Sequence, residues 1–205
     1  MTPALRLNLW RLAAWTLASV PLAQLAWLTL HGQLGANPVE FIEHHSGSWS
    51  LRLLLTTLAM TPLRALTQWP EPLRIRRLLG LWAFFWICLH FSIYLSFDLE
   101  WSPAQLAEDL LKRRYITVGF LAWLLLLPLA ITSTKAWQRR LQRRWLALHR
   151  LIYIAAPLAC LHFVWLVKSD LREPLLYAGI LSLLLGWRLR RRGILRARSP
   201  LPPSP

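Results

Sequence analysis

The chain has 205 residues, 56% of them hydrophobic, a mean hydropathy of +0.38 and 13 tryptophans, which excludes an ordinary soluble domain and makes the bilayer its solvent. A formal charge of +15 and a pI near 11.5 would ordinarily point to nucleic acid. Here the basic residues stand between apolar blocks, where membrane topology accounts for them and no nucleic-acid partner is expected.

A hydrocarbon core about 30 Å thick calls for roughly 20 mostly apolar residues per helix. Taken in chain order, six stretches qualify: 9–30, 49–66, 78–97, 115–133, 145–167 and 174–189. The first follows a short N-terminal segment, 1–8, and imitates a signal peptide, with Arg6 and Arg11 before and within an apolar run. That run is long and lacks a small-residue cleavage site, so a retained helix is expected. The second carries Arg52 and Arg64 near its two ends, where basic side chains snorkel or meet an acidic ligand group.

Basic residues gather at the N-terminus, in the second connection (Arg74, Arg76, Arg77), in the fourth (Lys135, Arg139, Arg140, Arg143, Arg144) and from Arg188 onward. The opposite connections hold Glu40, Glu43, Asp98, Glu100, Glu108, Asp109 and Asp170, with Lys112, Arg113 and Arg114 as the exception. The positive-inside rule then predicts both termini in the cytoplasm. The expected fold is an all-α membrane protein, a six-transmembrane-helix bundle over 9–189, followed by a basic, Pro-rich cytoplasmic tail over 190–205 that is expected to be disordered. The sequence has no Gly-rich phosphate loop, and the tail is too short for a nucleotide-binding domain, so any nicotinamide dehydrogenase is expected to be a separate protein.

Three of the six histidines, His90, His149 and His162, fall in predicted membrane helices, where ionisable side chains are costly and usually functional. The alternative for each is an imidazole that hydrogen-bonds a neighbouring helix. The third and fifth helices run in the same direction. His90 stands as far beyond Arg77 as His162 stands beyond His149, about 20 Å at ~1.5 Å rise per residue. His90 and His162 therefore share a level in the outer half of the bilayer and can approach one haem iron from opposite sides. His149 lies near the cytoplasmic end with Arg77 at the matching position, so an inner site would hold a haem with an unusual ligand, a flavin, a quinone, or nothing.

On a straight helix His149 and His162 would point about 140° apart, and Pro157 between them is the candidate for re-phasing it. The repeated Cys88-Leu89-His90-Phe91 and Cys160-Leu161-His162-Phe163 lacks the spacing of covalent haem attachment. Its cysteines read as small packing residues, and tryptophans such as Trp82, Trp86, Trp123 and Trp165 as belt and packing residues.

At these residues the chain resembles the MsrQ (YedZ) family, haem-binding membrane subunits of a bacterial periplasmic methionine-sulfoxide reductase system and minimal members of the ferric reductase-like superfamily. The likeness runs through Gly35-Ala36-Asn37-Pro38-Val39, Thr61-Pro62-Leu63, Arg76-Arg77-Leu78-Leu79-Gly80-Leu81-Trp82, Leu89-His90, Thr132-Ser133-Thr134, Arg144-Trp145, Leu148-His149, and His162 followed by Trp165 and Val167-Lys168. The resemblance implies haem b, FMN, a bacterial inner-membrane location, and electron delivery to a periplasmic molybdopterin methionine-sulfoxide reductase subunit (MsrP-like). It implies the quinone pool or a cytosolic flavin reductase as donor. By position, His90, His149 and His162 match the family's membrane histidines, and Arg52 is the expected contact for a haem propionate. The competing readings are a stand-alone ferric or quinone reductase and a transporter or scaffold with structural histidines.

Overall fold

The computed structural model describes residues 2–167 and 170–197. Lys168 and the Pro-rich end of the tail, 198–205, lie outside the described residues. The chain is all-helical: α1 (Pro3–Leu30), α2 (Pro38–Thr67), α3 (Glu71–Phe97), α4 (Pro103–Lys112), α5 (Arg114–Ile131), α6 (Lys135–Leu141), α7 (Arg143–Leu148), a 3-10 turn (His149–Leu151), α8 (Ile152–Leu166) and α9 (Arg172–Ala197). The starts of α1, α2 and α4 share one chemistry. Thr2, Asn37 and Ser102 each accept a backbone N–H through the side chain, and a proline follows at the first helical position, where its missing N–H costs nothing.

Among the described residues, four segments are long and apolar enough to cross a membrane: Pro3–Leu30, Glu71–Phe97, Arg114–Ile131 and Arg143–Leu166. The protein is a membrane protein, and its outer surface fits that solvent, with Trp15, Leu30, Phe85, Leu121 and Leu183 all exposed. The expected stretches 49–66 and 174–189 fall in α2 and α9, which fail the apolar criterion for reasons visible in their sequences. The first half of α2 is polar but turned into the bundle, with Ser46, Ser48 and Ser50 buried, and α9 carries Arg188, Arg190 and Arg191 along its second half.

The bundle is built from two antiparallel pairs. The tight turn after α2, where Gln68 takes a left-handed conformation (φ 60°), folds α3 back along α2, and α8 packs along α5 in the same way. Helix α1 lies on α3, where the indole N–H of buried Trp86 donates to the Ala18 carbonyl (3.0 Å). Helix α9 closes the other side against α8 and α2. Small side chains at these contacts, Ala14, Ala18, Ala83, Ala155, Ala156 and Cys160, bring the helices close, as packing in lipid requires.

Two features were not expected from the sequence. Helix α4 is a short amphipathic segment between α3 and α5, tied to the bundle by a Tyr94–Asp109 hydrogen bond. The fifth predicted span is broken by the 3-10 turn at His149–Leu151, where each residue advances about 120° rather than 100°. The re-phasing expected at Pro157 therefore begins earlier, at His149 itself, with Pro157 also inside α8.

At the end of α3 that packs near α1, Glu71 is fully buried and lies 3.3 Å from the Arg6 guanidinium, without hydrogen-bond geometry. Arg6→Ala leaves that carboxylate unpaired and is expected to destabilise the protein by about 2 kcal/mol. Thermal unfolding in detergent checks this, and adding Glu71→Gln is expected to recover part of the loss.

Candidate functional site

A cavity of about 520 Å³ opens between the two helix pairs, lined by α2, α3, α5 and α8. His90 on α3 and His162 on α8 face each other across it, ring centroids 6.3 Å apart and ring planes at 69°. His90 Nδ1 lies 3.0 Å from the Glu43 carbonyl oxygen and 3.3 Å from Ser46 Oγ, and His162 Nδ1 lies 2.8 Å from the Tyr115 carbonyl oxygen. A carbonyl only accepts, so in each ring Nδ1 carries the proton and Nε2 keeps a lone pair. This is the anchoring that presents an imidazole as a metal ligand.

Two glycines, which the sequence reading missed, make the anchoring possible. A Cβ on Gly47 of α2 would lie 3.2 Å from the His90 ring, and one on Gly119 of α5 only 2.7 Å from His162 Nδ1. Each imidazole thus rests on the bare backbone of the neighbouring helix. Each bonds the carbonyl one turn before the glycine, and both hydrogen bonds span the same 47 residues of chain. That equal spacing, alongside the repeated Cys-Leu-His-Phe, is the signal that would have found the glycines.

Six-coordinate iron between two imidazoles needs ring centroids about 6 Å apart, counting ~2 Å of metal–nitrogen bond and ~1 Å of ring on each side. The observed 6.3 Å suits that arrangement. Among the described residues no three His, Cys, Asp or Glu groups converge to hold a metal. Three buried polar atoms of the lining, Glu43 Oε1, Ser48 Oγ and Trp123 Nε1, have no hydrogen-bond partner, as expected where a bound group completes the cavity.

Arg52 is placed differently from the sequence expectation. Its Nε donates to Tyr177 Oη (2.6 Å) and its Nη2 to Glu173 (2.9 Å), and it lies over the Trp49 ring. It lines a neighbouring chamber of about 480 Å³ with His44 and His45, not the His90–His162 cavity. The acid one turn from Tyr177 on α9 captures the guanidinium, a pairing invisible without knowing which way α9 faces. Among the described residues the one Lys or Arg side chain in the cavity lining is Arg113, exposed at its mouth and paired with Asp109 at 3.2 Å.

His149 is remote from this cavity's lining. Its Nε2 lies 3.1 Å from Thr132 Oγ1 and its ring stacks on Trp145, centroids 3.9 Å apart. Arg77, expected beside it, is exposed; the cation within electrostatic reach of His149 is the preceding residue, Arg76. Cys88 and Cys160 are free thiols, Cys160 buried among packing residues of α8.

Residues 46–160 match the model of the family described as "Ferric reductase like transmembrane component", which includes His90 and His149 and ends two residues before His162. A protein of Xanthomonas axonopodis pv. citri called "Protein-methionine-sulfoxide reductase heme-binding subunit MsrQ" is 56% identical over 87% of this chain and 84% of its own length. Proteins with the same name from Xanthomonas euvesicatoria pv. vesicatoria and Rhodospirillum rubrum are 54% and 48% identical, covering 92% and 94% of this chain and 91% and 95% of their own. No solved structure matches. On this likeness over nearly its whole length, the chain belongs to the ferric reductase-like transmembrane family and, within it, to the MsrQ subunits.

Proposed function

We propose that this chain is the haem-carrying electron-transfer subunit of a protein-methionine-sulfoxide reductase system in the bacterial inner membrane. It passes electrons from the quinone pool or a cytosolic flavin reductase to a periplasmic molybdopterin methionine-sulfoxide reductase, supporting repair of oxidised proteins. The observation that carries this reading is the His90–His162 pair, two imidazoles anchored through Nδ1 and facing each other at metal-bridging distance in a cofactor-sized cavity. The names of the relatives, each a heme-binding subunit, support it.

The same reading makes α2 and α9 the second and sixth membrane spans. At 30 and 26 residues, and about 1.5 Å per residue, both exceed the hydrocarbon thickness. Basic residues then mark the inner side, with 1–8 and 190–205 cytoplasmic around the domain 9–189. The cavity opens outward, past Asp98, Arg113 and Tyr115 at its mouth, which faces it toward a periplasmic acceptor.

A haem b bound there supplies one-electron carriage between its ferric and ferrous states. His90 and His162 would hold the iron, Gly47 and Gly119 leave room for their rings, and the aromatic wall of Phe91, Phe120 and Trp123 would exclude water. Arg113 offsets negative charge at the mouth, the role expected from sequence for Arg52. His149, with Arg77 at the matching sequence position, marks an inner site for FMN or a second haem, a placement that rests on the family resemblance.

His90→Ala and His162→Ala are expected to abolish the Soret band of the purified protein, and Gly119→Ala to lower haem occupancy severalfold by displacing the His162 ring. A full Soret band in both histidine variants would sink the axial-ligand assignment and favour the transporter reading. Arg113→Gln removes a cation beside the cofactor and is expected to lower the haem midpoint potential by about 30–60 mV, where about 59 mV is a tenfold change for one electron. Arg52→Gln leaves the potential unchanged and lowers thermal stability instead; spectroelectrochemistry with thermal unfolding separates the two. Cofactor quantification on His149→Ala is expected to show loss of flavin or of an inner haem, with the His90–His162 haem retained.

A further inference from the structure

We propose that the Ser46 hydroxyl sets how strongly His90 binds iron, and through it the haem potential, so that the two axial imidazoles are unequal donors. The inference rests on the haem ligation proposed above, and Ser46 enters it as a positioning residue acting through His90. Ser46 lies on α2 and is fully buried. Its Oγ donates to the Glu43 carbonyl oxygen (3.0 Å), the same oxygen that accepts from His90 Nδ1 (3.0 Å), and lies 3.3 Å from that nitrogen. A helical serine commonly bonds back to the carbonyl one turn earlier. Here that carbonyl is also the anchor of a ligand. A helix carbonyl has two lone pairs and already takes the N–H of the following turn, so His90 and Ser46 compete for what remains.

The other half of the site is the internal control. His162 Nδ1 donates to the Tyr115 carbonyl on α5 at 2.8 Å, and the residue three positions after Tyr115 is Val118, which has no hydroxyl. Among the described residues no second side chain donates to the Tyr115 carbonyl. The more a carbonyl draws on an imidazole N–H, the more imidazolate character the ring gains and the more strongly its other nitrogen donates to a metal. A stronger axial donor favours ferric over ferrous iron, and hydrogen bonding to a ligand is one of the levers a protein has on haem potential. Inside the bundle no water levels the difference. The Ser46 hydroxyl therefore weakens the pull on His90 alone and holds the potential up, which favours uptake of an electron from the donor.

The test uses the purified, haem-loaded full chain in detergent, read by spectroelectrochemistry and by EPR of the ferric protein. Ser46→Ala is expected to keep its haem and to shift the ferric–ferrous equilibrium about three- to tenfold toward ferric, a fall in midpoint potential of about 30–60 mV at about 59 mV per tenfold for one electron. Its low-spin EPR spectrum is expected to narrow, as a stronger axial donor requires. Val118→Ser supplies a hydroxyl at the matching position on α5 and is expected to shift the potential the opposite way. A hydroxyl that only filled space would not move the potential in opposite directions at the two positions. An unshifted or raised potential in Ser46→Ala, no opposite shift in Val118→Ser, or loss of haem from Ser46→Ala overturns the inference while leaving the axial-ligand assignment in place. A full Soret band in both His90→Ala and His162→Ala overturns that assignment instead, and the inference with it.

Discussion

The site depends on one local interaction made twice: an imidazole Nδ1–H donated to a helix carbonyl while the ring rests on a glycine one turn further along that helix. In lipid no water competes for the ring nitrogens or for those carbonyls, so the bond fixes tautomer and orientation together. It also ties helices in pairs. His90 locks α3 to α2 through Glu43, and His162 locks α8 to α5 through Tyr115. The cavity is what remains when two such locked pairs are set face to face, with α1 and α9 closing the outside.

The two pairs are an internal repeat. Glu43, Gly47, Cys88 and His90 recur at the same step along the chain as Tyr115, Gly119, Cys160 and His162, although little else in the segments is alike. Such a repeat places its equivalent histidines on helices that run in the same direction and at the same depth, which a shared ligand set between them requires. The likeness stops at the inner end. Helix α2 continues to Thr67, whereas α5 stops at Ile131, and the chain passes through α6, α7 and the 3-10 turn before α8. Thr132, freed by that early stop, reaches His149, which has no imidazole counterpart on α3.

What the sequence revealed follows from what periodicity and charge can encode. The shared level of His90 and His162 was legible because rise per residue and helix direction suffice to set it, and the close approach of the two rings agrees with it. Rotation was not legible. Whether α3 turns Arg76 or Arg77 toward His149, and whether α2 turns Arg52 toward the cavity or toward Glu173, depends on how neighbouring helices dock. Helix α4 was missed because ten residues of mixed polarity fall below any membrane-span pattern. The low hydropathy of α2 has the same root: its serines are polar in sequence but spent inside the bundle, where Ser46 contacts His90.

The two ends of the bundle handle charge in opposite ways. At the mouth of the His90–His162 cavity Arg113 is held by Asp109, and in the neighbouring chamber Arg52 by Glu173, so both cations are partnered and their field is damped. Toward the other end Arg76 lies within electrostatic reach of Arg188, and among the described residues neither has an ion pair. For an electron moving from the Arg76 end toward the cavity, as the proposed function has it, this arrangement runs uphill: a positive field holds added negative charge, and the carboxylates Glu40 and Asp98 of the cavity lining oppose its approach. Fixed charge alone therefore works against that direction, and the drive has to come from the potentials of donor and acceptor.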